Sequence, residues 1–376
     1  MDEKTVLKNG IVFTPECDFA PLDIEFCGDI ITAFSAAGTI DTTDKTVIDC
    51  KGCYVIPGLV DIHFHGCAGH DLCGGDLATI AEYEYSQGVT AICPATMTLP
   101  DDELTALMHH IALYKSTENT VDRAELVGIH LEGPFISPDK TGAQHPKFIQ
   151  RPSGDKLRRW QKASGGLIKL CTIAPEMDGA LGCIVGCGDE IHFSLGHTNC
   201  SYEAAAKAFN AGADHVTHLY NAMPPFHHRD TGLIGAAIDN DSCFVELICD
   251  GIHVSPAAVR AAFKLFGEDR IILISDSMEA CGMPDGEYSL GGQAVTVRGS
   301  KASLSDGTLA GSVTPLPDCM RMAVTMGIPL TSAVRAATLN PCRSIGIDNT
   351  HGSIEPGKKA HFLILDKQDL STIKVI

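Results

Sequence analysis

The stretch Pro57-Gly58-Leu59-Val60-Asp61-Ile62-His63-Phe64-His65-Gly66 is a short apolar run that ends in His-x-His and opens into a glycine-rich loop. Its composition predicts a β-strand over Leu59–His65. Alternate strand residues share a face, so His63 and His65 point one way and Phe64 the other. Two imidazoles at a strand end can grip one metal ion. A lone His-x-His also occurs on ordinary surfaces. What gives this one weight is that later strand ends repeat the theme with single His, Glu or Asp residues.

Working outward, residues 56 to 350 alternate strand and helix signals, the pattern of a parallel α/β fold. The strands are expected at Leu59–His65, Val89–Thr96, Leu126–Glu132, Leu167–Ala174, Glu190–His197, His215–Leu219, Phe244–Cys249 and Ile271–Ser275. Helical stretches such as Asp102–Lys115 and Tyr202–Asn210 lie between them. Eight such units in roughly 270 residues match a (β/α)8 TIM-like barrel. A doubly wound sheet is the runner-up, but no G-x-G-x-x-G follows the first strand. Residues 284–309 read as a hairpin insertion. Residues 1–55 carry short β runs split by turn signals such as Asn9-Gly10, and 351–376 return to that texture. Both termini are therefore expected to build one small β-sandwich domain, with the barrel of residues 56–350 inserted between them.

Composition bounds the function. The 376 residues include 44% hydrophobic and 6% aromatic residues, as in a globular α/β protein. No run of roughly 18 apolar residues marks a membrane span, and no apolar segment after Met1-Asp2-Glu3-Lys4 marks a secretory signal. A net charge of −19 disfavours nucleic acid and anionic membranes as partners. The sixteen cysteines are scattered, many in apolar segments, and neither Cys50/Cys53 nor Cys183/Cys187 has a second pair at zinc-ribbon spacing. The expectation is a reduced, cytoplasmic protein.

In a barrel, chemistry collects at the C-terminal strand ends. Those ends give His63 and His65, Glu132, His197, His218, His253 and Asp276. Imidazoles mixed with carboxylates suit Zn, Fe, Mn or Ni better than Mg or Ca. A divalent ion lowers the pKa of bound water to about 7, and Asp276 beside that water could accept its proton and pass it to a leaving group. That combination fits hydrolysis of an unactivated amide. Packing is the expectation for His130 and His215 and a solvated helix face for His109 and His110. His70, His145, His192, His351 and His361 belong to no evident constellation.

The motifs Pro57–Gly66, His130-Leu131-Glu132-Gly133-Pro134-Phe135, Ser194-Leu195-Gly196-His197-Thr198, His218-Leu219-Tyr220-Asn221-Ala222-Met223, Asp250-Gly251-Ile252-His253, Ser275-Asp276 and Leu309-Ala310-Gly311-Ser312 span nearly the whole chain. Together they resemble the N-acetylglucosamine-6-phosphate deacetylase family of the amidohydrolase superfamily. The resemblance implies a homodimer that hydrolyses the acetamide of a small amino-sugar phosphate. It implies Glu132, His197 and His218 as principal metal ligands, and Asp276 as general base and acid. His253 would polarise the carbonyl or hold the sugar. Arg229, Asn221 and Ala222 would meet the phosphate, Ala143 and Gln144 would line the sugar site, and Leu309-Ala310-Gly311 would close over it. Because His63 and His65 are both present, one or two ions are allowed, the second bridged by Glu132. Position 144 is Gln where some members carry His. Dihydroorotase-like relatives bridge their metals with a carboxylated lysine, whereas here the nearest lysine to Glu132 is Lys140. Deacetylation of the galactosamine isomer differs by one hydroxyl configuration and stays open; a non-catalytic barrel does not fit the intact ligand set.

Overall fold

Residues 4–376 are described by a computed structural model. The quoted stretch starts a run of parallel strands. Leu59–Asp61 pairs with Val89–Ile92, which pairs with Glu125–Leu126. A second parallel set runs in order through Ile129–Glu132, Ile168–Ile173, His192–Leu195, His215–Val216, Phe244–Ile248 and Ile271–Ile274. The two sets are stitched by a parallel bridge between Ala95 and His130. At the far side Asp276 N donates to His63 O at 2.9 Å, so the last strand's exit bonds to the first strand's exit. The result is a curled parallel sheet.

Alternation along each strand divides the core in two. Ile271 and Leu273 face outward to the helices, while Ile272 and Ile274 join Val60, Ile62, Leu170 and Ile248 inside the curl. The helices start where the sequence caps them. Ser201 accepts from Ala204 N ahead of Tyr202–Asn210, and Ser255 accepts from Ala258 N ahead of Pro256–Phe266, where Pro256 stands in the first turn.

The regular strands are shorter than the sequence predicts, and the difference matters. Pairing stops at Asp61, Leu195, Val216 and Ile274, so His63, His197, His218 and Asp276 each stand two residues past a strand end. Of these, His197, His218 and Asp276 have left-handed backbones, with φ of 45°, 26° and 47°. Such conformations cost on the order of 1 kcal/mol each for a side-chain-bearing residue, and they cluster where function demands a particular aim.

Strands from both ends of the chain share one seven-stranded mixed sheet. Phe362–Asp366 lies antiparallel to Cys53–Pro57, directly before the quoted stretch, and Lys4–Phe13 pairs on the other side. This sheet has its own apolar cluster, including Leu7, Ile24, Val55 and Phe362. The expected hairpin near 284–309 is a three-stranded antiparallel sheet, Gly286–Leu290, Gln293–Arg298 and Lys301–Ser303. It packs through Leu290, Val295 and Ala302 against Met97 and Met278, beside the strand exits.

In the terminal sheet, the Glu25 carboxylate is held by Lys4 Nζ at 2.8 Å and by Lys45. Those two bonds lower its pKa to about 2. The folded value lies below that of an unfolded Glu, about 4.3, so the stabilisation is complete above that pH and lost as pH falls through about 2. Glu25→Gln is therefore expected to lower the denaturation midpoint at pH 7. The gap to wild type should narrow at pH 3; a gap that is constant with pH contradicts the assignment.

Candidate active site

At the strand exits four imidazoles surround one carboxylate. Glu132 Oε1 lies 3.2 Å from His63 Nε2, 3.2 Å from His197 Nε2 and 3.1 Å from His218 Nε2. Glu132 Oε2 lies 3.2 Å from His65 Nε2, and Asp276 Oδ1 stands 3.3 Å from the same nitrogen. All six residues are buried. Two groups of potential ligands result, Glu132 with His197 and His218, and His63 with His65 and Asp276.

Proton placement decides what this cluster can hold. His197 Nδ1 faces Lys140 O at 2.9 Å, His65 Nδ1 faces Ala95 O at 3.2 Å, and His63 Nδ1 faces Glu246 Oε2 at 2.8 Å. Carbonyls and carboxylates only accept, so each Nδ1 carries the hydrogen. In the neutral rings Nε2 is then a bare lone pair, and all three lone pairs aim inward. His197 Nε2 and His218 Nε2 are only 3.0 Å apart, and His63 Nε2 is buried with no hydrogen-bond partner. Lone pairs crowded around a carboxylate call for positive charge. Without a cation the site draws it as protons: burial disfavours a charged His63, yet Glu132 and Glu246 raise its pKa well above the usual value. The donor set and its outer hydrogen bonds fit a divalent metal ion.

Two buried acids brace the cluster, and the sequence reading assigned neither a role. Glu246 Oε2 takes His63 Nδ1 and His218 N at 3.1 Å. Asp61 accepts from His63 N at 3.1 Å and from Ser275 N at 3.3 Å, tying the first strand exit to the last. The signal for Glu246 was present: Val245 and Leu247 face outward, so the carboxylate between them must face inward. Asp276 itself is buried, which raises a carboxyl pKa, but the adjacent imidazoles of His65 and His63 draw it below the usual carboxylate range whenever they hold a proton. It stays ionised and able to accept a proton.

The cluster floors a cavity of about 250 Å³. His65, Glu132, His197, His218, His253 and Asp276 line it, together with Ala143, Gln144, Asn221, Ala222, Leu309 and Gly311. Gly142 fits there because a Cβ would come within 3.2 Å of His197 Cε1. His253 Nδ1 is 2.7 Å from Asp250 Oδ2. Burial disfavours its charged form, and the Asp250 bond and charge raise the pKa overall. Three expected residues do not line the cavity. His63 sits beneath the cavity floor, and Ala310 is fully buried against the insertion, leaving its neighbours to face the cavity. Arg229 is exposed on the 226–230 loop, with Nη1 2.8 Å from His228 Nε2. None of the described residues lining the cavity is Lys or Arg.

His130 packs as expected, its ring bonded to Ile62 O and Thr172 Oγ1. His215 is likewise structural, bonded to Asp214 Oδ1 at 2.8 Å. His192, by contrast, does have a constellation, since it shares the Asp214 carboxylate with His215. His351 also has one, 3.3 Å from Glu125 Oε2.

The Amidohydrolase family profile matches residues 54–376. The chain belongs to that family. Among relatives of this amidohydrolase, the N-acetylglucosamine-6-phosphate deacetylase of Bacillus subtilis (strain 168) is 40% identical over 317 residues, covering 83% of this chain and 80% of the relative. The N-acetylgalactosamine-6-phosphate deacetylase of Escherichia coli O157:H7 is 34% identical over 82% of this chain and 83% of its own length. A mutant N-acetyl-D-glucosamine-6-phosphate deacetylase from Mycobacterium smegmatis, solved in complex with N-acetyl-D-glucosamine-6-phosphate, superposes with a TM-score of 0.90. It is 30% identical, and the match covers 100% of this chain and 97% of that one.

Proposed function

We propose that this amidohydrolase removes the acetyl group from N-acetylglucosamine-6-phosphate, releasing acetate and glucosamine-6-phosphate. The observation that carries the reading is the set of inward Nε2 lone pairs around Glu132, with ionised Asp276 alongside and a sugar-sized cavity above. The similarity to deacetylases over more than four-fifths of the chain supports it. Glu132, His197 and His218 would hold a cation of the Zn, Fe, Mn or Ni type, which when bound would lower the pKa of a water to about 7 and so make hydroxide available at neutral pH. His63, His65 and Asp276 offer a second position, so we infer capacity for one or two ions.

The chain's own residues handle protons and orientation. Asp276 accepts the proton of the attacking water and delivers it to the departing amine, which must leave protonated. His253, its Nδ1 held by Asp250, presents Nε2 to the acetyl carbonyl and draws electron density toward its oxygen. Asn221 and the backbone at Ala222 orient the sugar phosphate, Ala143 borders the sugar, and the Leu309–Gly311 segment narrows the cavity mouth. A dianion needs a cation that the lining of this cavity lacks, which favours Arg229 delivered from a second copy of the chain in a homodimer. The strand-exit bonds favour a closed (β/α)8 barrel over residues 56–350, and the sheet shared by strands from both ends of the chain favours a β-sandwich unit drawn from 1–55 and 351–376. Sixteen cysteines with no disulfide among the described residues favour a reducing, cytoplasmic setting. The E. coli relative gives the galactosamine isomer as the second reading.

Asp276→Asn is expected to keep its metal while acetate release from N-acetylglucosamine-6-phosphate falls about 10²–10⁴-fold; unchanged turnover removes Asp276 from the mechanism. Faster release from the galactosamine isomer would favour the second reading. Arg229→Ala should raise KM for the phosphorylated sugar about tenfold more than for the unphosphorylated one, whereas equal effects on both would show that Arg229 does not meet the phosphate.

A further inference from the structure

Gln144 is buried at the cavity edge, and its side-chain amide has no freedom of orientation. Thr98 N donates to Gln144 Oε1 at 2.7 Å. A backbone N–H can only donate, so the amide oxygen is fixed there and Nε2 faces the other way. Nε2 lies 2.6 Å from Glu132 Oε2, and 3.8 Å from the Met97 sulphur. Carbonyl and amide nitrogen are thus both directed at protein atoms, which leaves little for a sugar hydroxyl.

We propose that Gln144 is a positioning residue for Glu132, setting the plane of its carboxylate, rather than a sugar contact. A glutamate carboxylate rotates with little resistance about its last torsion. Here one oxygen is taken by a short, charge-assisted N–H bond on the His65 side. The other, Oε1, is thereby left facing His63, His197 and His218, each with Nε2 within 3.2 Å. Gln144 makes Glu132 a one-oxygen ligand toward the His197/His218 pair. It also leaves Oε2 only part of its acceptor capacity for any ion on the His63/His65 side. Outer hydrogen bonds of this kind hold ligand geometry and tune metal affinity. The proposal rests on the metal-hydrolase reading above and assigns the residue a place within it.

Gln144→Met keeps the length and volume of the side chain and removes the donor. Affinity for Zn²⁺, read by chelator competition, is expected to fall about 10–100-fold, and the visible spectrum of the Co²⁺-loaded protein should shift. KM for N-acetylglucosamine-6-phosphate at saturating metal should change by less than about threefold. Wild type that loads normally beside a variant that loads equally well, with an unchanged Co²⁺ spectrum and a raised KM, overturns the proposal alone. Wild type that takes up no divalent ion overturns the hydrolase reading and the proposal with it. Should the Met variant not fold, a crystal structure of metal-loaded wild type with the sugar phosphate decides. Nε2 bonded to Glu132 Oε2 supports the assignment, and Nε2 turned onto the sugar refutes it.

Discussion

Three imidazole nitrogens within 3.2 Å of a single buried carboxylate oxygen is an arrangement that protons alone satisfy poorly. One oxygen cannot accept three N–H bonds, and three of the four rings surrounding Glu132 already spend their hydrogen on an outer acceptor. Positive charge at the centre resolves both problems. The rest of the molecule follows from holding that cluster together. The parallel strands deliver these imidazoles and carboxylates to one end, and left-handed backbones at His197, His218 and Asp276 turn side chains inward. Glu246 locks the His63 ring from beneath, and Asp61 holds the His63 backbone. The local strain and the burial of several charges are costs that the hydrophobic curl around Val60, Ile62, Ile272 and Ile274 offsets.

Much of this was legible in the sequence, for identifiable reasons. Parallel strands buried on both faces read as short apolar runs, so Phe244–Ile248 and Ile271–Ile274 were found to within one residue, while the strand starting at Val89 ends four residues earlier than expected. The histidines and carboxylates at strand exits were legible because a titratable residue straight after an apolar run is conspicuous. The strand boundaries were not, because pairing stops before the side chains that use the exits: His63 and His65 read as strand but stand beyond it. Period-two alternation still put them on one side, with Phe64 in the opposite core.

What escaped had a different cause. Glu246 lies mid-strand rather than at an end, so a search of strand ends passes over it. Asp61 acts through backbone N–H groups, which carry no sequence signature. Gln144 was expected to meet the sugar, and its amide is bonded on both sides to protein. Its partner Thr98 lies 46 residues away, a pairing that only the fold brings about. The Asp214 contact of His192 was hidden in the same way, across 22 residues.

The central claim is that one divalent ion is shared by Glu132, His197 and His218. Anomalous diffraction across the zinc and iron absorption edges, on crystals of metal-replete protein, tests it most directly. The account predicts an anomalous peak about 2.0–2.2 Å from Glu132 Oε1, His197 Nε2 and His218 Nε2. A map with no peak there, and imidazoles left in direct hydrogen bonds to the Glu132 carboxylate, would contradict it.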